Sequence, residues 1–310
     1  MTELPAGIRR LTFPLPTAPG HVHCYLLPSP GGYILVDAGL GLPDLEKRWA
    51  LLLSALERPV AKIAITHFHP DHVGGARDVA ELTGAPVLQG ALDYEQCERV
   101  WGSPAWEDRI ADWFERNGVP RAVAAELREL GAAYRPFIRF APEPVRLRAG
   151  DRLDGWEVLE LPGHADGHLC LLKDGVLVVG DHLLPDITPA VGLYPEARPD
   201  PLGDYLDSLA RTIELAPRLA LPAHGEPILD PAARAGEIVE HHRERLAAAE
   251  AALGPEPRSG YELSLALFPD ADSPGKRRFA VAETLSHLER LVREGRAARA
   301  GNGGLVTYTA

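Results

Sequence analysis

The chain has 310 residues, of which 45% are hydrophobic and 25% charged, a size and balance that fit one large globular domain plus a smaller one. Its net charge of −12 is unevenly placed: residues 241–310 carry ten basic and nine acidic side chains, and the rest carries 22 against 35. An acidic body argues against broad binding to a phosphate backbone, and the near-neutral tail leaves that question open.

Met1-Thr2-Glu3-Leu4-Pro5 has no basic segment ahead of an apolar core, so no secretion leader is expected. Residues 21–27 read as a strand, and after the turn at Pro30-Gly31-Gly32 a second strand, 33–36, ends in Asp37-Ala38-Gly39; a hairpin fits. His21 and His23 share one face of that first strand with Cys24 opposite. Two ligands on one strand make an incomplete metal site, so a structural role is favoured for them. Residues 43–57 carry Leu45, Trp49, Leu52, Leu53 and Leu56 at helical spacing. The apolar run 61–65 reads as a buried strand leading into His67-Phe68-His69-Pro70-Asp71-His72, and Gly74-Gly75 opens a helix over 76–82. A short strand follows at 86–88.

From 92 to 141 the texture is helical. Ser103-Pro104 is expected to cap a helix whose stripe is Trp106, Ile110, Trp113 and Phe114 and whose end is Asn117-Gly118. Pro120 opens another, with Val123, Leu127 and Leu130 on one face and Gly131 as its stop. Trp101, Trp106 and Trp113 lie in this insertion, which either roofs a pocket or packs onto the main domain. Strands return at 156–161, leading to Pro162-Gly163-His164, and at 169–172 and 176–179, the last stopping at Gly180-Asp181. A helix over 205–215 and a short strand, 220–223, lead to His224. Asp230-Pro231 starts a long helix to about 253; Ser259 and Glu262 form a capping-box pattern; a helix follows over 275–294, and 297–310 reads as a hairpin around Gly301-Asn302-Gly303-Gly304. The cysteines, Cys24, Cys97 and Cys170, are odd in number and scattered, which points to a reducing, cytoplasmic setting without a disulfide framework. No apolar run is long enough to cross a bilayer, so no membrane partner is expected.

Four metal-ligating side chains within six residues make 67–72 a candidate metal site. His67 and His69 point the same way on an extended backbone, and Pro70 forces a turn that brings Asp71 and His72 from another side. The same device recurs at His164, Asp181 and His224: an apolar strand ends and a potential ligand follows at once. Strand ends along one sheet edge converge, so scattered ligands can meet. No Gly-x-Ser-x-Gly pattern offers a serine nucleophile in their place.

The motif His67-Phe68-His69-Pro70-Asp71-His72 resembles the metal motif of the metallo-β-lactamase superfamily. Over about residues 15–230, Asp37-Ala38-Gly39, Pro162-Gly163-His164, Gly180-Asp181 and Ala223-His224-Gly225 match its other motifs in chain order. The resemblance implies an α/β fold, an αββα four-layer sandwich with metals at one sheet edge. It implies a catalytic domain over 1–230 and a winged-helix-like domain over 231–310. It implies that His67, His69 and His164 hold one divalent ion and Asp71, His72 and His224 another, bridged by Asp181. Zinc is the first expectation, iron or manganese the competitors. Asp37 and His168 would support the ligands, and Asp71 would serve in catalysis.

The layout is similar to the glyoxalase-II branch, and the commonest class of metallo-β-lactamases has cysteine where Asp181 stands, which argues against antibiotic hydrolysis. The implied activity is hydrolysis of a small acyl ester or thioester by hydroxide activated between two metals. The alternative is a metal-dependent endoribonuclease or phosphodiesterase, motivated by the tail and its Lys276-Arg277-Arg278 cluster and weakened by the lack of a β-CASP insertion. A third reading makes the tail a homodimer or partner contact.

Overall fold

The computed structural model describes residues 1–301 and 304–310. Two sheets face each other. The first runs, in order of adjacency, Thr2–Glu3, Arg9–Pro14, His21–Ser29, Gly32–Val36, Val60–Ile65, Val87–Gly90 and Val145–Leu147. The second runs Leu219–Pro222, Val176–Gly180, Leu169–Lys173, Trp156–Glu160 and Arg152–Leu153. Side chains alternate across each strand. Tyr25, Leu27, Ile34, Val36 and Ala64 point inward and meet Val158, Leu171, Val178 and Leu221 of the second sheet in one core. Their neighbours Cys24, Leu26, Leu35 and Ile63 point outward onto Leu45, Trp49, Ala76 and Val79 of the helices Leu45–Ser54 and Ala76–Thr83. On the far side, Cys170, Leu177 and Val179 pack against the helices Pro201–Leu215 and Pro231–Ala252. The result is the expected helix–sheet–sheet–helix layering.

The insertion packs its two ends on the first sheet, with Tyr94, Cys97, Ile138 and Ala141 in the same core as Leu35 and Ile63, while its middle bridges to the tail. Ile110, Phe114, Ala124 and Leu127 share a core with Leu263, Val281, Leu285, Leu288 and Tyr308. Its first long helix begins at Trp106, one turn after Ser103-Pro104, and its second runs through Gly131 to Tyr134. Gly131 does not stop that helix because its backbone stays helical and nothing crowds it. An additional helix, Ala91–Val100, precedes both; its apolar side is short and interrupted by Gln96, which hides its period in the sequence. Arg9–Pro14 is likewise a strand the sequence does not announce, too short and too charged to stand out.

In the tail, Asp230 caps the helix Pro231–Ala252 and Ser259 with Glu262 forms a capping box for Gly260–Leu267. The helix Pro274–Arg293 follows, and Arg258–Ser259, Ala298–Ala300 and Thr307–Thr309 form a three-stranded sheet. The expected hairpin is present in those last two strands; Asn302 and Gly303 of its turn lie outside the described residues. Among the described residues no helix is long and apolar enough to cross a membrane.

Candidate metal centre

The strands Gly32–Val36 and Val60–Ile65 are parallel, as are Val176–Gly180 and Leu219–Pro222. Trp156–Glu160 lies two antiparallel steps from Val176–Gly180 and so runs with it. All five therefore end on the same edge, and each end carries a polar side chain: Asp37, Thr66-His67, His164, Asp181 and His224. The two sheets are tied there by Leu169 N–H donating to Thr66 O at 2.8 Å. His69 keeps an extended backbone, and Pro70 takes the first position of a one-turn helix, Pro70–Val73, that delivers Asp71 and His72. Gly75 closes the turn where a Cβ would lie 2.6 Å from Ala38 O.

His67, His69 and His164 present nitrogens that could hold one ion; so do the side-chain atoms of Asp71, His72 and His224, and His67, His72 and Asp181 form a third group joining the two. In each group the candidate atoms lie within 4.8 Å of one another.

The rings are oriented by what their other nitrogens touch. Asp37 accepts from Thr66 N–H and from the Thr66 hydroxyl, both at 2.8 Å, and from His72 Nδ1 at 2.8 Å. Because the Thr66 hydroxyl donates to Asp37, it accepts from His67 Nδ1 at 3.0 Å. His164 Nδ1 donates to Ala190 O at 2.8 Å and His224 Nδ1 to His21 O at 2.6 Å. Four imidazoles thus turn their Nε2 toward the centre. His168, expected as a supporting residue, accepts Asp181 N–H on its Nε2 at 3.2 Å and stacks on His67. His182 points away from Asp181 to the Thr212 hydroxyl.

Thr66 and Asp93 are the residues that the sequence reading missed. Asp93 is fully buried, accepts Phe68 N–H at 2.8 Å and Gln89 Nε2 at 2.6 Å, and so pins the backbone between His67 and His69; burial pushes its carboxyl up to about 8. Neither has a sequence signal beyond a polar residue beside an apolar strand or on a helix's inner side.

These residues fit a metal. Among the described residues, His67 Nε2, His72 Nε2 and Asp181 Oδ1 are buried without a hydrogen-bond partner, the last two 3.5 Å apart. His164 Nε2 faces His69 Nδ1 at 2.9 Å. With its Nδ1 proton donated elsewhere, that His164 nitrogen is a lone pair, which a proton on His69 Nδ1 or a cation shared by the two rings would satisfy.

The electrostatics agree. Burial, then the neighbouring imidazoles, holds His67 and His69 well below the ordinary histidine value, and burial lowers His164. Burial opposes charge on His72 and His224 too, but Asp181 and Asp71 outweigh it, raising His72 well above its ordinary value and His224 to about 10. Burial likewise acts to raise Asp71 and Asp181, yet the facing imidazoles hold both down. The carboxylate half of the nest calls for positive charge, and the histidine half offers neutral ligands.

The chain's residues 17–224 match the family model described as the metallo-beta-lactamase superfamily, and 246–310 match that of a metallo-beta-lactamase-like C-terminal domain. The chain belongs to the metallo-beta-lactamase superfamily. It is similar to the crystal structure of a metallo-beta-lactamase family protein from Thermus thermophilus, with 36% identity, a TM-score of 0.84 and 98% of each chain covered. It is 28% identical over 298 residues to the probable metallo-hydrolase YqjP of Bacillus subtilis, covering 91% of each. A third relative, the atrochrysone carboxyl ACP thioesterase of Emericella nidulans, is 26% identical over 217 residues, 68% of this chain and 53% of that protein. The superfamily fold and the His/Asp groups make this chain a metallo-hydrolase that binds divalent metal.

Proposed function

We propose that the chain hydrolyses a small acyl ester or thioester at a dinuclear centre. His67, His69 and His164 hold one ion, Asp71, His72 and His224 the other, and Asp181 bridges them. The observation that carries this reading is the set of unpartnered Nε2 and carboxylate atoms converging within 4.8 Å. A divalent pair in such a nest supplies Lewis acidity and acidifies water toward neutral pH, zinc being the first candidate.

The chain's own groups do the rest. Asp71 is held ionised beside His224 Nε2 at 3.4 Å, so a carboxylate oxygen is available to orient the attacking water, take its proton and return it to the leaving thiolate or alkoxide. Trp101 Nε1 donates to Phe68 O at 2.8 Å, which helps fix the backbone between His67 and His69. The thioesterase relative supports an acyl substrate.

The nuclease reading loses its motivating patch. Lys276 pairs with Asp272 on the surface, and Arg277 is buried, donating to the carbonyls of Ser264, Phe268 and Ala271. Arg278 lies against the Tyr194 ring. We infer instead that the winged-helix-like tail braces the insertion, whose core it shares.

The test is a thioester and ester panel with zinc-loaded protein against H67A. Turnover well above that control is expected, and none on any member overturns the proposal.

A further inference from the structure

The start of the strand His21–Ser29 has an unusual neighbour. Its pairing with Gly32–Val36 begins only at Tyr25, so the edge of residues 21–24 is free on that side. It is taken by the segment that carries His224. His23 N–H donates to Ala223 O at 2.7 Å, and His21 O accepts from His224 Nδ1. The two side chains then grip the next residue. His21 Nε2 accepts Gly225 N–H at 3.0 Å, and His23 Nε2 lies 3.0 Å from Gly225 O. Since a carbonyl only accepts, His23 carries its proton on Nε2, and its Nδ1 accepts from the Thr12 hydroxyl at 3.0 Å. His21, accepting at Nε2, carries its proton on Nδ1. The rings lie side by side, centroids 4.6 Å apart, in opposite tautomers, one holding the N–H and the other the C=O of the same residue.

Gly225 needs this grip. Its φ is +82°, and a Cβ there would sit 2.5 Å from Pro185 Cγ. The chain turns sharply directly after His224, with no regular element to hold it. The direction in which His224 Nε2 points, 3.4 Å from both Asp71 and Asp181, therefore depends on where the 223–225 segment is pinned. The Nε2 atoms of His21 and His23 are both engaged by Gly225 and so are not free for a further metal.

We propose that His21 and His23, backed by Thr12, are positioning residues that set the affinity of the ion held by Asp71, His72 and His224 while leaving the ion held by His67, His69 and His164 untouched. This rests on the reading of His224 as a ligand given above. Hydrogen-bond partners that orient a ligand are worth about 10–100-fold in metal affinity, and here they act on one site of two.

The test titrates metal-free full-length protein with Co2+, following the visible ligand-field bands, and with Zn2+ against a chromophoric chelator. Wild type, H23F, H23Q, T12V and H224A are compared. Wild type is expected to take up two equivalents, and H224A identifies the one that involves His224. H23F should weaken that equivalent by about 10–100-fold and shift its Co2+ bands, leaving the other within twofold. T12V, a mild surface change that also serves if H23F folds poorly, should weaken the same equivalent several-fold. H23Q, whose amide offers both a donor and an acceptor, should recover part of the loss. Equal weakening of both equivalents, or of neither, in H23F and T12V overturns the clamp alone. A wild-type chain that takes up one equivalent, or an H224A chain that loses none, overturns the two-ion reading and the clamp with it.

Discussion

His72 Nδ1 lies 2.8 Å from Asp37 Oδ2 with both side chains shut off from solvent, and that contact decides which nitrogen of His72 can reach a metal. Asp37 sits at the end of the strand Gly32–Val36 with φ at 62°, a left-handed conformation that Asp and Asn tolerate better than other side chains. The turn folds its carboxylate back under the centre. Replacing it with Asn keeps the shape and the backbone conformation but places an NH2 where Oδ2 accepts two protons. His72 is then driven to the tautomer with its proton on Nε2, facing the metal. D37N is expected to fold and to lose about 10–100-fold in affinity for the ion held by His72. Competition with a chelator measures this, and unchanged affinity would contradict the tautomer argument.

Much of this arrangement is legible in the sequence because strand ends are legible. The run 61–65 leads to His67, and Val176-Leu177-Val178-Val179 leads to Asp181, so apolar periodicity announces both the strands and where their ends fall. Caps are equally local: Ser259 with Glu262 and Asp230 with Pro231 mark their helices at the positions observed. What the sequence hides is support that arrives from far away. Thr66 matters because Asp37 accepts its hydroxyl, and His21 because Gly225, 204 positions later, donates to it. Neither fact has a period or a spacing. Ser103-Pro104 fails as a helix start for a related reason: the local signal is sound, but packing of Trp106 and Ile110 in the shared core sets where the first helical turn falls.

Two histidines outside the centre make folding sensitive to acid. His287 Nδ1 donates to Glu283 O at 2.8 Å, and its Nε2 lies 3.3 Å from His242 Nδ1, both rings buried between the helices Pro231–Ala252 and Pro274–Arg293. Burial first, then the neighbouring charges, lowers His242 to about 3 and His287 to about 4. In the unfolded chain both take up protons near pH 6.5, whereas the folded chain resists until far lower pH. Stability is therefore full above pH 6.5 and falls as pH drops toward 4, by about 1.4 kcal/mol per pH unit for each such group. Urea midpoints of the metal-free protein at pH 7 and pH 5 measure the slope. H242L should reduce it by one proton's worth, and an unchanged slope would show that the pair titrates normally when folded.

The tail and the insertion should unfold together, because each completes the other's core. Leu285 is fully buried and meets Phe114, Leu263 and Tyr308 in the cluster that spans them. One face of the helix Pro274–Arg293 supplies Val281, Leu285 and Leu288 to this core, while Leu291 reaches the core beneath the second sheet. Truncating Leu285 to Ala leaves a cavity that neither unit can close alone, at an expected cost of about 2–5 kcal/mol. A brace that merely rested on the surface would relax and lose far less. The expected outcome is a lower urea midpoint in a single transition, monitored by tryptophan fluorescence, since Trp106 of the insertion lies in the same core. Metal stoichiometry should be unchanged, because rings of the centre are oriented by hydrogen bonds to groups outside Leu285's cluster, such as His72 to Asp37 and His164 to Ala190 O. A biphasic curve in which the tail melts first would show that the two units are separate, and would remove the ground for calling the tail a brace.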